Sequence, residues 1–406
     1  MRDETHGPAG GPEQSCRSGT AAEATVSPLR AGTGDGPKDQ PPAAQPCATS
    51  ALPQDRRAES RSASPHGIYA AIDLGTNNCR LLIARPTARS FRVVDAFSRI
   101  VRLGEGLGAS GRLCDGAMER ALGALEICAT KMELRGVTRA RMVATEACRS
   151  AVNGEDFCSQ VESRTGLTLE VVDRRTEAGL AATGCAPLVD PSCEGAVLFD
   201  IGGGSTEVVW LGRRSAGDDG PPRARIRSWV SLPVGVVSLS ERHGGVKVSP
   251  DVFHTMVDEV CAMLDGVRQS WGVRAPARLH LLGTSGTVTT VAGIHLGLDR
   301  YDRARVDGAW LGASHIEQVV DRLMTMSFEE RVANPCIGAQ RADLVLAGCA
   351  IMEAVRRIFP ADRLRVADRG LREGMLVQMM RADGVWRNGR AADGYNATPP
   401  NGSRPA

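Results

Sequence analysis

Two short stretches decide the fold: Ile72-Asp73-Leu74-Gly75-Thr76-Asn77-Asn78-Cys79-Arg80-Leu81-Leu82 and Phe199-Asp200-Ile201-Gly202-Gly203-Gly204-Ser205-Thr206-Glu207-Val208-Val209. Each places an aspartate at the end of an apolar run, then a tight turn of Gly, Ser, Thr and Asn, then a second apolar run. Glycines let backbone N–H groups approach a ligand and hydroxyls add donors, so each turn forms an anion nest. A strand follows each turn where the P-loop and the dinucleotide fingerprint would have a helix. The aspartate at the strand end suits a hard cation that keeps several waters and takes one or two carboxylates. One such turn is an ordinary β-hairpin. Two copies in one chain read as an internal repeat.

Working outward, strand and helix signals alternate around both turns. Ile68–Asp73, Cys79–Ala84, Val93–Val101 and Arg141–Thr145 read as strands. Between them Met118, Leu122, Leu125, Ala129 and Met132 make one helical face. Leu167–Asp173 reads as a strand with a helix from Thr176. The grammar restarts at Ala196–Asp200 and Glu207–Leu211. Ser249-Pro250 opens a helix with the stripe Phe253, Met256, Val260, Leu264 and Val267, and Ser314–Glu317 reads as a capping box. Leu344–Phe359 is a further helix and Leu364–Ala367 a late strand. The fold class is therefore α/β.

The chain has 406 residues, 24% charged and 42% apolar, with a formal net charge of +2. That is the balance of a globular protein without the basic excess of a nucleic-acid coat, so nucleic acid is not an expected partner. Lys38, Lys131 and Lys247 are its only lysines. Almost all positive charge is thus arginine, the better bidentate phosphate ligand, although a GC-rich genome produces the same bias. No apolar segment follows the N-terminal Met1-Arg2-Asp3, and the uncharged run Leu279–Leu298 is broken by Gly283, Ser285, Gly286 and Gly293. It reads as strand, loop and helix, so no membrane association is expected. The twelve cysteines show no CxxC and no zinc-type spacing, which points to reduced thiols in the cytoplasm.

Residues 1–66 contain no Phe, Tyr or Trp and are rich in Pro, Gly, Ser and Ala. They read as a disordered leader, and 384–406 as a disordered tail. The chain between them divides into a first domain (67–192) and a second (193–383), each carrying one phosphate turn.

These residues resemble the exopolyphosphatase and guanosine-pentaphosphate phosphatase (Ppx/GppA) family, within the acetate/sugar kinase, heat-shock-70 and actin superfamily. Four further segments carry the resemblance: Ala144-Thr145-Glu146-Ala147-Cys148-Arg149, Val172-Asp173-Arg174-Arg175-Thr176-Glu177-Ala178, Leu282-Gly283-Thr284-Ser285-Gly286-Thr287 and Asp368-Arg369-Gly370-Leu371-Arg372-Glu373-Gly374. It implies two ribonuclease-H-like domains around a central cleft, with the last helix returning to the first domain. By motif, Glu177 matches the family's catalytic carboxylate, Arg149 its phosphate-contacting arginine, and Glu207 a further catalytic and metal-holding acid. Asp73, Gly75, Thr76, Asn77, Asn78 and Arg80 match the first phosphate turn. Gly202, Gly203, Gly204, Ser205 and Thr206 match the second. Asp200, with Asp73 and Glu207, is expected to hold Mg²⁺, or Mn²⁺ in its place.

Thr176 stands where many members have a second Glu, and Ala182 near a usual aromatic. None of the seven histidines is followed by Asp, so the HD-type domain of longer members is expected to be absent. The implied reaction releases phosphate from a terminal phosphoanhydride of polyphosphate or guanosine pentaphosphate (pppGpp), and a homodimer is among the family's states. An ATP-dependent small-molecule kinase and a non-catalytic nucleotide or alarmone sensor are the rival readings.

Overall fold

A computed structural model describes residues 67–212, 223, 225–272 and 279–386. The leader 1–66 and residues 387–406 of the tail lie outside the described residues. Two mixed sheets organise the rest. The first comprises β1 (Tyr69–Leu74), β2 (Asn78–Pro86), β3 (Phe91–Ile100), β4 (Arg139–Ala144) and β5 (Glu170–Val171), in the order β3-β2-β1-β4-β5. The second comprises β6 (Gly195–Ile201), β7 (Thr206–Gly212), β8 (Ile226–Leu232), β9 (Leu279–Thr284), β10 (Trp310–Gly312) and β11 (Arg363–Ala367), in the order β10-β11-β9-β6-β7-β8.

With β10 set aside, the sheets repeat one another. In each, two antiparallel hairpins are followed by two parallel strands added on the other side of the first strand. The Asp-x-Gly repeat in the sequence is thus the start of a whole repeated sheet of ribonuclease-H type. β10 extends the second sheet by pairing antiparallel with β11.

Alternation along the strands decides what faces what, because successive side chains point to opposite faces. In β1, Ala70, Ile72 and Leu74 pack into one core with the helices Asp115–Leu134 and Gly154–Thr165. Tyr69 and Ala71 face the other way, against Met375, Leu376 and Met379 of the terminal helix Leu371–Ala382. In β6, Val197, Phe199 and Ile201 join the large core under helices Pro250–Leu264, Gly286–His295 and Val345–Ile358. Ala196 and Leu198 face Ala178, Ala182 and Cys185 of helix Arg174–Cys185. That helix and the terminal helix cross between the sheets at glycines. A Cβ on Gly184 would stand 2.0 Å from the Gly370 carbonyl oxygen, and one on Gly374 2.0 Å from that of Leu180. The terminal helix therefore packs on β1 and β2 although it is last in the chain.

Some boundaries differ from the sequence reading. β5 is only two residues long because Asp173 leaves the strand to cap the next helix, accepting from the Thr176 N–H at 2.6 Å. That helix accordingly begins at Arg174 and not at Thr176. The capping box at Ser314 does not form. The helix starts at Ala313, the Gly312 N–H donates to His315 Nδ1 (3.3 Å), and Glu317 instead accepts from Arg356. Val267 leaves its stripe because Gly266, at φ 74°, ends the helical run before it. The Ser249 cap and Pro250 start are as expected, as are the strand, turn and helix within 279–298. No helix among the described residues is long and apolar enough to cross a membrane.

Candidate active site

The same alternation aims the charged residues of both turns into the space between the sheets. Asp73 shares its face of β1 with Tyr69 and Ala71, and Asp200 shares its face of β6 with Ala196 and Leu198. Across the hairpins Arg80 lies opposite Asp73, and Glu207 opposite Asp200. Both turns close in the same way. The Gly75 N–H donates to Asn78 O at 2.8 Å, and the Gly202 N–H donates to Ser205 O at 2.9 Å. In the second turn, the carbonyls of Gly202 and Gly203 accept from the N–H groups of Val236 and Val237 at 2.9 and 2.8 Å. Among the described residues the N–H groups of Thr76, Asn77, Gly203 and Gly204 donate to no protein acceptor. The turns also touch: a Cβ on Gly203 would lie 2.8 Å from Thr76 Cβ and 3.1 Å from the Asn77 nitrogen. Only glycine lets them come this close.

A cavity of about 480 Å³ opens onto both turns. Asp73, Asp200, Glu207 and Glu177 line it, with Arg80, Arg341 and Arg372. Burial, then repulsion from Asp73, pushes Asp200 up to about 6. Burial and Asp200 push Glu207 up to about 7, against the lowering effect of the Ser205 and Ser231 hydroxyls, which donate to its Oε1 at 2.9 Å each. Glu177 rises to about 9, through burial and then Glu207, with Arg149 opposing. Asp73 is also raised by burial, while Arg80 and Arg372 pull it down. Carboxylates that raise one another in a buried space favour a cation among them.

Hard oxygen donors of this kind fit Mg²⁺ or Mn²⁺. Among the described residues no three acidic, His or Cys side chains converge closely enough to enclose an ion alone.

A family model described as the Ppx/GppA phosphatase family matches residues 82–383. The chain belongs to this family. It is 30% identical over 325 residues to exopolyphosphatase 2 of Mycobacterium tuberculosis, covering 76% of this chain and 98% of that protein. It is 27% identical to a guanosine-5'-triphosphate,3'-diphosphate pyrophosphatase of Aeromonas hydrophila, covering 77% of this chain but only 59% of that protein. The crystal structure of the Aquifex aeolicus Ppx/GppA family member is similar at a TM-score of 0.63 and 30% identity, covering 78% of this chain and 98% of that one.

Within this Ppx/GppA chain most of the sequence-derived residues meet as expected: Asp73, Gly75, Thr76, Asn77, Asn78, Arg80, Glu177, Asp200, Gly202, Gly203, Gly204, Ser205 and Glu207 all line the cavity. Two do not. Thr206 is fully buried and its hydroxyl donates to Val234 O at 2.7 Å, so its side chain serves the hairpin and not a ligand. Arg149 does not line the cavity itself; its guanidinium is taken up by two carboxylates that do. Its Nη2 donates to Glu146 Oε2 at 2.5 Å and to Glu177 Oε2 at 3.1 Å, and its Nη1 to the Val172 carbonyl and Glu177 Oε2. In this arrangement Arg149 orients Glu177. Both contacts fall on Oε2, which leaves Oε1 as the atom open to a water.

The sequence reading assigns no role to several further cavity residues, among them Arg341 and, within the quoted motifs, Glu146, Ser285 and Arg372. Glu146 ties Arg149 to Arg174. Ser285, at φ 102°, presents a buried hydroxyl with no partner at the start of helix Gly286–His295. Arg341 and Arg372 are buried enough that their charged forms are disfavoured, and neither is closed in an ion pair with a described carboxylate. Such guanidiniums await an anion. The side-chain oxygens of Asn77 and Asn78 are likewise buried without partners.

Proposed function

We propose that this chain is a Mg²⁺-dependent hydrolase of terminal phosphoanhydrides that releases phosphate from inorganic polyphosphate. One observation carries the reading: two amide-bearing turns share a single cavity with the carboxylates Asp73, Asp200, Glu207 and Glu177 and the guanidiniums Arg80, Arg341 and Arg372. A polyanion with a metal neutralises that set, and the family relatives named for exopolyphosphatase and guanosine-pentaphosphate activity support the same chemistry.

Phosphoryl transfer passes through a loose transition state, so positioning and charge neutralisation supply most of the catalysis. The terminal phosphate sits between the turns, its oxygens accepting from the N–H groups of Thr76, Asn77, Gly203 and Gly204. Arg80, Arg372 and Arg341 follow the chain of phosphates beyond it. Asp200 and Glu207, with Asp73, would hold Mg²⁺, which supplies charge neutralisation on the phosphate oxygens when bound. Glu177 Oε1 takes a proton from the attacking water as the new P–O bond forms and the bond to the bridging oxygen breaks. Arg149 keeps Glu177 aimed and favours its ionised form.

Guanosine pentaphosphate is the second reading. Pro335, Ile337, Leu344 and Val345, with Tyr301, add apolar and aromatic lining to the cavity that a nucleoside fits and a bare phosphate chain does not use. The test is phosphate release by the full chain with Mg²⁺, running polyphosphate and guanosine pentaphosphate in parallel with Glu177→Gln as control. Release lost in the variant supports the hydrolase and ranks the substrates by kcat/KM. No release from either substrate would overturn it.

A further inference from the structure

The cysteines carry no pairing motif, yet the fold brings four of them into two pairs. Cys79 of β2 meets Cys128 of helix Asp115–Leu134. Cys148 of helix Glu146–Ser150 meets Cys158 of helix Gly154–Thr165. In each pair the two thiols are within hydrogen-bond reach of one another. The first pair is sealed in the core, with both residues at 0% exposure. The second is at the edge of the same core: Cys148 is buried, while Cys158 is only half-buried and follows the fully buried Phe157. Its two helices are held close by backbone contact, since a Cβ on Gly154 would lie 2.0 Å from the Cys148 carbonyl oxygen. The helix bearing Cys148 also carries Glu146 and Arg149, so one thiol of this pair is built into the wall that holds Glu177.

We propose that Cys148 and Cys158 form a modification site, a reversible disulfide made by hydrogen peroxide beside the cavity. Cys158 is the attacking sulfur, being the more accessible; the hydrogen bond from Cys148 lowers its pKa, while Cys148 itself is raised. The Cys158 thiolate attacks one peroxide oxygen, the O–O bond breaks, and the departing hydroxide takes up the thiol's proton as water. The resulting sulfenic acid is attacked by the Cys148 sulfur; the S–S bond forms, and the hydroxyl leaves with the Cys148 proton as a second water. Two thiols and one peroxide thus give one disulfide and two waters. Drawing the sulfurs from hydrogen-bond to covalent distance pulls helix Glu146–Ser150 toward its neighbour and so disturbs the contact of Arg149 with Glu177. The consequence for activity rests on the proposed hydrolase; the disulfide does not.

The test treats the folded full chain with hydrogen peroxide, blocks remaining thiols after denaturation, and maps peptides by mass spectrometry. The expected result is a Cys148–Cys158 cross-linked peptide that dithiothreitol removes and that Cys158→Ser abolishes, with Cys79 and Cys128 still alkylated. Phosphate release falls as the cross-link forms and returns with dithiothreitol. Cys158 recovered as a free thiol, as a sulfinic acid, or joined to another cysteine would overturn the proposal. A chain that forms the cross-link but never releases phosphate would retain the disulfide and sink the hydrolase reading.

Discussion

The two turns are built alike and charged differently. Both hang between the first two strands of a repeated sheet, both close on an i to i+3 backbone bond, and both aim an aspartate between the sheets. Across the hairpin, however, Asp73 faces Arg80 while Asp200 faces Glu207. One residue in the register separates them. In the first turn the arginine offsets the buried aspartate and leaves a cationic group for an anion. In the second, two acids raise one another, to about 6 and about 7, and the pair calls for a cation. On the proposed reading both turns offer amides to phosphate, while the residue across the hairpin tips the first toward the anion and the second toward the metal.

Glu177 stands outside both turns and answers to both, so its loss gives the largest effect. Glu177→Gln is expected to lower kcat by more than about a hundredfold with KM nearly unchanged, measured by steady-state phosphate release. Next comes the contact between the turns. Gly203→Ala drives a Cβ against Thr76 and the Asn77 backbone, so the turns must part. Misplacement of this kind lowers kcat/KM by about tenfold or more, and a variant as active as the parent would break the claim that the turns act together.

A third prediction concerns pH. In the metal-free chain Asp200, Glu207 and Glu177 hold protons to about 6, 7 and 9, above their ordinary values of 3.8, 4.5 and 4.5. Their contribution to stability is complete below the ordinary carboxylate range and is lost as pH rises through those values. Mg²⁺ favours the ionised acids, so the rise in Tm on adding it is expected to be larger at about pH 8 than at about pH 5. Equal shifts would mean that these acids do not hold the metal. The smallest effect belongs to Thr206→Val, which removes the bond to Val234 O and lowers stability by about 1 kcal/mol, with KM unchanged. A raised KM would return Thr206 to the phosphate site.

The turns were legible because their chemistry is local: Asp, glycines and hydroxyls within a few residues, placed by the strand period. Glu177 was legible only through its motif, since nothing local separates it from any acid in the first turn of a helix. What stayed hidden depends on distant packing. Thr206 reads as a ligand until Val234 takes its hydroxyl, and Arg149 reads as a phosphate contact until Glu146 and Glu177 take up its guanidinium. Ser285, Arg341 and Arg372 reach the cavity from elements far along the chain, and the Cys148–Cys158 pair needs two helices packed at Gly154. The short β5 and the shifted helix starts have nearer causes, a cap at Asp173 and one at Gly312.

The division between the turns is tested most directly by comparing Arg80→Gln with Glu207→Gln. Phosphate release from polyphosphate would be titrated against free Mg²⁺ and against substrate for each variant. Arg80→Gln is predicted to raise the substrate KM by about tenfold, the worth of a charge-assisted hydrogen bond, and to leave the Mg²⁺ requirement in place. Glu207→Gln is predicted to do the reverse. Both variants moving the same parameter would contradict the account.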